Sequence, residues 1–215
     1  MEIFYYLLIV DRFICLEGID GCGKSTQVAA LGDFLEKEGF KVLRIREPGG
    51  TEISETIRQV ILNPEYKGKM DDMTELFLYS AARAQLIHEV VKPALRKGYV
   101  VLADRFAYST LAYQGFGRGL DIEMVKNLLC MTCGVFFPNK TFIFDIPVSL
   151  SKERRLEKAY NKKNDRIEQE QDDFFERVRQ GYLTIAKENP ETCVLINAAR
   201  SQEDIFEFLV SHLKN

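Results

Sequence analysis

Between residues 18 and 26 the chain reads GIDGCGKST, with Gly18 and Gly23 framing four residues before Lys24 and Ser25. This is the spacing of a phosphate-binding loop. Glycines let consecutive backbone N–H groups turn into one concavity, and a helix starting at the lysine adds the positive end of its dipole. Lys24 can then reach the β- and γ-phosphates of a nucleotide, while the Ser25 hydroxyl is suited to ligate Mg2+. Gly18, Ile19, Asp20, Gly21, Cys22, Gly23, Lys24, Ser25 and Thr26 are therefore the expected ATP-binding stretch.

Other residues bear on where the phosphate goes. A guanine-reading switch needs Asn-Lys-x-Asp, but Asn139-Lys140 is followed by Thr141 and Phe142, and Asn161-Lys162 by Lys163 and Asn164. A hydrolytic motor of the common kind carries a glutamate after a strand-end aspartate, to orient water. Here the strand-like run ends Ala103-Asp104-Arg105. An arginine cannot serve as that base, yet it holds anions well. Transfer to an anionic acceptor fits better than hydrolysis. An acceptor phosphate, with a second ionisation near about pH 6, needs little base catalysis. It needs charge neutralisation and in-line positioning. Arg46, Arg58, Arg83 and Arg105 are candidates for that work.

These residues must be held by surrounding elements. Five strand-like runs, 12–17, 41–47, 99–104, 141–146 and 192–197, are nearly continuous in apolar character. Strands covered on both faces have that pattern. Between them lie helical segments, one from Lys24 to about Glu38 before Gly39, another from about Asp71 to Lys97 before Gly98. Alternating strands and helices predict an α/β fold with a parallel sheet and helices on both faces. The segment 151–166 is strongly basic and is followed by an acidic run.

Composition narrows the class. With 215 residues, 46% hydrophobic and 28% charged, one globular domain with a sizeable core is expected. A net charge of −3 argues against a nucleic-acid partner. The apolar run Ile3–Val10 is too short for a bilayer, which takes about 20 helical residues. It also lacks the basic flank of a signal peptide, so residues 1–11 are expected to be an N-terminal extension, with no membrane partner. Five cysteines with no regular framework fit a reducing, cytoplasmic setting. Cys130 and Cys133 form a lone C-x-x-C, and His88 and His212 are the only histidines, so a zinc site is not expected.

The chain resembles the thymidylate kinases from about Arg12 to its C-terminus. Four separated motifs carry the resemblance: GIDGCGKST (18–26), REPGGT (46–51), DRFAYSTLAYQGFGRG (104–119) and NDRIEQE (164–170). It implies a P-loop nucleoside-monophosphate-kinase fold with a five-stranded parallel sheet. It also implies Mg2+-dependent transfer of the ATP γ-phosphate to dTMP, giving dTDP and ADP in dTTP biosynthesis. Asp20 would then reach the acceptor nucleotide and the metal's hydration shell, and Asp104 would orient that shell alongside Ser25. Glu47-Pro48 would be a cis peptide shaping the loop on which the acceptor lies. Arg105, with Arg58 nearby, would grip the acceptor phosphate. Tyr79 and Arg83, four apart on one helix face, would stack on thymine and hydrogen-bond its O4. Thr110, Tyr113 and Gln114 would surround base and sugar, with Tyr113 crowding a ribose 2′-hydroxyl.

Some members carry an arginine where this chain has Gly21. Its absence implies the bacterial type, whose cation comes from a mobile lid, here about 151–167 within a single domain 12–215. Arg155 is the expected lid cation, with Arg154 or Lys158 as substitutes. Members are homodimers joined through helices; the apolar positions of 121–135 fit either such an interface or the core. Two rival readings remain open at this stage. A nucleoside kinase would activate a neutral 5′-hydroxyl and benefit from a carboxylate base. A nucleotide-sensing or nucleic-acid-binding protein would draw on the basic run, but the acidic total and the lack of a basic aromatic platform oppose it.

Overall fold

Five apolar runs need cover on both faces, and the computed structural model, which describes residues 12–158 and 165–213, gives it to them. The N-terminal extension and the stretch 159–164 of the expected lid lie outside the described residues. The strands are β1 (Phe13–Gly18), β2 (Val42–Arg46), β3 (Val100–Asp104), β4 (Lys140–Asp145) and β5 (Cys193–Asn197). They hydrogen-bond in the order β2-β3-β1-β4-β5, all parallel. Every residue of β1 is buried, as a central strand requires.

From β1 the chain crosses to β2 at one edge of the sheet, whereas the later connections carry it through β3 to β4 and β5. Such a reversal opens a crevice beyond the carboxyl ends of the strands. Register decides what surrounds it. Leu16 and Arg46 both pair with Asp104, and Gly18 pairs with Phe144. The phosphate loop, the REPGGT loop and the Asp104-Arg105 turn thus leave the sheet together.

Helix α1 (Lys24–Lys37) follows the phosphate loop and ends at Gly39, whose φ is 91°. Helix α2 (Glu52–Leu62) is capped by the Thr51 hydroxyl, which accepts from the Ser54 N–H. Helix α3 (Asp72–Leu86) is capped by the Asp71 carboxylate, as the acidic start of that segment predicts. It runs through a π-helical turn, Ile87–Val91, into α4 (Lys92–Arg96). Sequence reading expects one uninterrupted helix here. The change of ladder comes just before Pro93, which has no N–H and crowds the carbonyl four residues back.

Beyond β3 come the short helix α5 (Ala107–Thr110), a π-helical segment Leu111–Gly117, and α6 (Ile122–Cys133). In α6, Val125, Leu129 and Cys133 join the core, so the apolar positions of 121–135 serve mainly as core; Met131 and Val135 are exposed. The remaining helices are α7 (Val148–Lys158), α8 (Asp172–Glu188), which packs on β4 and β5, and α9 (Gln202–Leu213), which packs on α1. No described helix is long and apolar enough to cross a membrane. All five cysteines are free, and the described residues contain no cluster of metal-ligating His, Cys, Asp and Glu side chains.

Candidate active site

The phosphate loop needs its glycines for conformation and for space. Gly18, Gly21 and Gly23 have φ values of 140°, 79° and 97°. A Cβ on Gly18 would sit 2.5 Å from the Phe144 carbonyl oxygen, and one on Gly21 would sit 2.7 Å from that of Ser151. Gly23 caps α1 in a left-handed conformation without any side-chain hydrogen bond to the helix end. The first N–H groups of α1 are thus left for an anion. Lys24 is buried and curls back, its Nζ donating to the carbonyls of Gly18 and Ile19 at 3.0 Å and to Cys22 Sγ at 3.4 Å. The Ser25 hydroxyl donates to the Asp104 carboxylate, so the two residues expected at the metal meet.

Opposite the loop stands Arg105, the one non-glycine residue with positive φ among those described, at 71°. Such a backbone is held only by over-determining contacts. Its N–H donates to Leu16 O at 3.0 Å, and the next N–H, of Phe106, donates to Glu17 Oε1 at 2.8 Å. Arg105 Nη2 donates to Asp20 Oδ1 at 2.7 Å and to the Tyr113 hydroxyl at 3.1 Å. Nη1 donates to Ser109 Oγ and to the Tyr182 hydroxyl, each at 3.2 Å. Burial alone would push the Asp20 carboxyl up, but Arg105 and then Lys24 more than reverse this and hold it well below the usual carboxylate range.

The REPGGT loop forms the next wall. Glu47–Pro48 is cis, as expected. Glu47 is buried and grips Arg83 in a bidentate pair, accepting from Nε at 2.9 Å and from Nη2 at 2.8 Å. Arg83 Nη2 also donates to Thr110 Oγ1 at 2.8 Å, but Arg83 Nη1, buried as well, has no protein partner. Arg58 donates to Pro48 O at 2.8 Å, and Arg46 is held by Glu55. Burial, then the like charge of Arg46, lowers Arg58 from its ordinary value, which is the condition of a cation short of an anion.

One cavity joins these parts. Its lining includes Asp20, Gly21, Gly23 to Thr26, Arg46, Glu47, Pro48, Arg58, Tyr79, Arg83, Asp104, Arg105, Thr110, Tyr113 and Gln114. The residues expected from sequence therefore converge, with Gly18, Ile19 and Cys22 forming the loop's underside. The Gln114 amide is partly engaged, its Nε2 donating to Glu75 Oε1 at 2.7 Å. Arg155 approaches from α7: its Cγ lies 3.3 Å from where a Gly21 Cβ would be, and its guanidinium stacks 4.4 Å above the Phe175 ring. Arg154 turns away, donating to Ala198 O at 3.0 Å. The side chain of Lys158 lies outside the described residues.

Sequence reading missed several participants. Asp165 and Glu168, inside the NDRIEQE motif, line the cavity. Glu75 is a buried hub that pairs with Arg118 at 3.0 Å and Arg166 at 2.6 Å. Glu17 is fully buried beneath Arg105. A carboxylate ending a strand covered on both faces must find donors, but the sequence does not say that those of Glu17 belong to the site.

Comparison with known proteins follows the same lines. The family profile described as thymidylate kinase matches residues 16–209. Thymidylate kinase of Kosmotoga olearia is 48% identical over 198 residues, spanning 92% of this chain and 93% of that protein. Thymidylate kinase of Exiguobacterium sibiricum is 44% identical over 197 residues, spanning 92% and 91%. A crystal structure of thymidylate kinase from Ehrlichia chaffeensis superposes with a TM-score of 0.75 at 31% identity, covering 94% of this chain and 98% of that one.

Proposed function

The chain belongs to the thymidylate kinase family, ATP-dependent nucleoside monophosphate kinases, and from that premise we propose how its crevice carries the ATP γ-phosphate to dTMP. The observation that supports this reading most is the direct contact between the two halves: Asp20, in the donor loop, holds Arg105, the acceptor-side cation, at 2.7 Å. A donor phosphate and an acceptor phosphate bound there would face each other across one carboxylate.

ATP takes the N–H groups of the loop and of the α1 N-terminus, and draws the Lys24 ammonium off the carbonyls that now occupy it. Ser25 Oγ and the Asp104 carboxylate are adjacent hard oxygen donors, which fit a Mg2+ ion held otherwise by phosphates and water. When bound, the ion neutralises charge on the transferring phosphate. The dTMP phosphate competes with Asp20 for Arg105, and Arg58 lies further along the same wall. The unpartnered Arg83 Nη1 is ready for a carbonyl such as thymine O4, because a buried donor without a partner is costly. Tyr79 flanks the base, Thr110 and Gln114 border it, and the Tyr113 ring closes the sugar side.

Arg155 supplies the lid cation. It lies over the loop at Gly21, its buried Nε lacks a partner, and Arg154 is engaged elsewhere. The segment 151–167 acts as the lid of the single domain 12–215, excluding water so that transfer prevails over hydrolysis. The enzyme works as a homodimer, a reading supported by exposed Ile53 and Val60 on α2 and exposed Phe77 on α3. Free cysteines support a cytoplasmic location.

A coupled assay with ATP and Mg2+ against dTMP, thymidine, dUMP and CMP tests the function. The expected result is efficient dTDP formation from dTMP and none from thymidine. ATP consumption without dTDP would overturn the proposal.

A further inference from the structure

Resting on the reading of Arg105 as the acceptor-phosphate cation, we infer that Glu17 is a positioning residue that fixes Arg105 through the oriented hydroxyls of Ser109 and Tyr182. The argument is one of proton direction. Arg105 Nη1 donates to both hydroxyl oxygens, each at 3.2 Å, so each hydroxyl must send its own proton elsewhere. An ionised carboxylate only accepts. Glu17 Oε2 accepts from Ser109 Oγ and, at 2.9 Å, from the Tyr182 hydroxyl, while the two hydroxyls lie 2.9 Å apart. Glu17 thereby turns their lone pairs toward the guanidinium. Burial, and then the Glu17 charge, pushes the Tyr182 hydroxyl well up, so it keeps its proton.

The same carboxylate also accepts the N–H groups of Phe106 and Ser109, at 2.8 and 3.1 Å, and so caps the short helix behind Arg105. It is fully buried, and no solvent competes for it. Asp20 differs in kind. It holds the opposite terminal nitrogen and its side chain is 33% exposed, so an arriving phosphate can take its place. The rear contacts through Ser109 and Tyr182 then keep the guanidinium aimed while its front partner changes.

The test is steady-state kinetics of Tyr182→Phe, which keeps the ring and removes one relay oxygen. Losing a hydrogen bond to a charged group should raise KM for dTMP about tenfold and leave KM for ATP within about twofold. In an Arg105→Lys background, which breaks the fork that reads both hydroxyls, the same change should add almost nothing. Ser109→Ala should reproduce the acceptor-selective defect, and Glu17→Gln should deepen it if that variant folds. An unchanged KM for dTMP in Tyr182→Phe, or an equal rise in the Arg105→Lys background, overturns the inference while leaving the proposed function intact. A wild-type enzyme that makes no dTDP overturns both.

Discussion

At the scale of single residues, charge placement dominates. Asp20 is the clearest case, because its carboxylate is hydrogen-bonded to Arg105 and lies within the field of the Lys24 charge. Its folded-state pKa lies below the ordinary 3.8, so its stabilising contribution is complete above that value and is lost as pH falls through the folded-state value. Asp20→Asn should therefore be less stable than wild type near neutrality, with the gap narrowing as pH falls below about 4, because the unfolded chain takes up the proton there while the folded carboxylate still resists it. Chemical denaturation followed at several pH values measures this; a gap independent of pH would contradict it. Residue types were legible here, since the loop lysine, serine and glycines stand in one short motif. Glu17 was not, because nothing local distinguishes a carboxylate serving Arg105 from any other strand-end acid.

At the scale of elements, α7 explains why Gly21 is glycine. The helix root comes so close that a Cβ would meet the Ser151 carbonyl at 2.7 Å, and Ser151 Oγ donates to Asp20 O at 2.6 Å. A larger side chain at position 21 would push α7 off the loop, which fits the proposal that the cation comes from α7, as Arg155. Gly21→Ala should cost about 1–3 kcal/mol of stability, from backbone strain and the clash together, and should raise KM for ATP. Gly68→Ala is the control: φ is 70° there, but no atom lies within 4 Å of the added Cβ, so strain alone acts. Thermal denaturation and ATP kinetics compare the two; equal losses would mean that α7 does not bear on the loop. Strands were legible to within a residue because continuous apolar runs have few alternatives. The π-helical turn Ile87–Val91 was not, since Pro93 marks only where a ladder must change and not how.

At the scale of the whole molecule, α2 and α3 pack together and leave Ile53, Val60 and Phe77 exposed. Wild type should sediment at twice the mass of one chain, and Ile53→Glu with Phe77→Glu should shift it to the monomer. A monomeric wild type at micromolar concentration would remove the dimer from the proposal. The amino-acid sequence by itself determined the phosphate loop, the α/β pattern and the four family motifs, all of which are local or periodic signals. Tertiary structure alone decided which side chains meet: Asp20 with Arg105 across 85 positions, and Glu17 with Tyr182 across 165. The physical reason lies in the sheet. Strands buried on both faces carry no alternation to fix their register, so strand order and register, and every contact that hangs on them, emerge only when the strands pack.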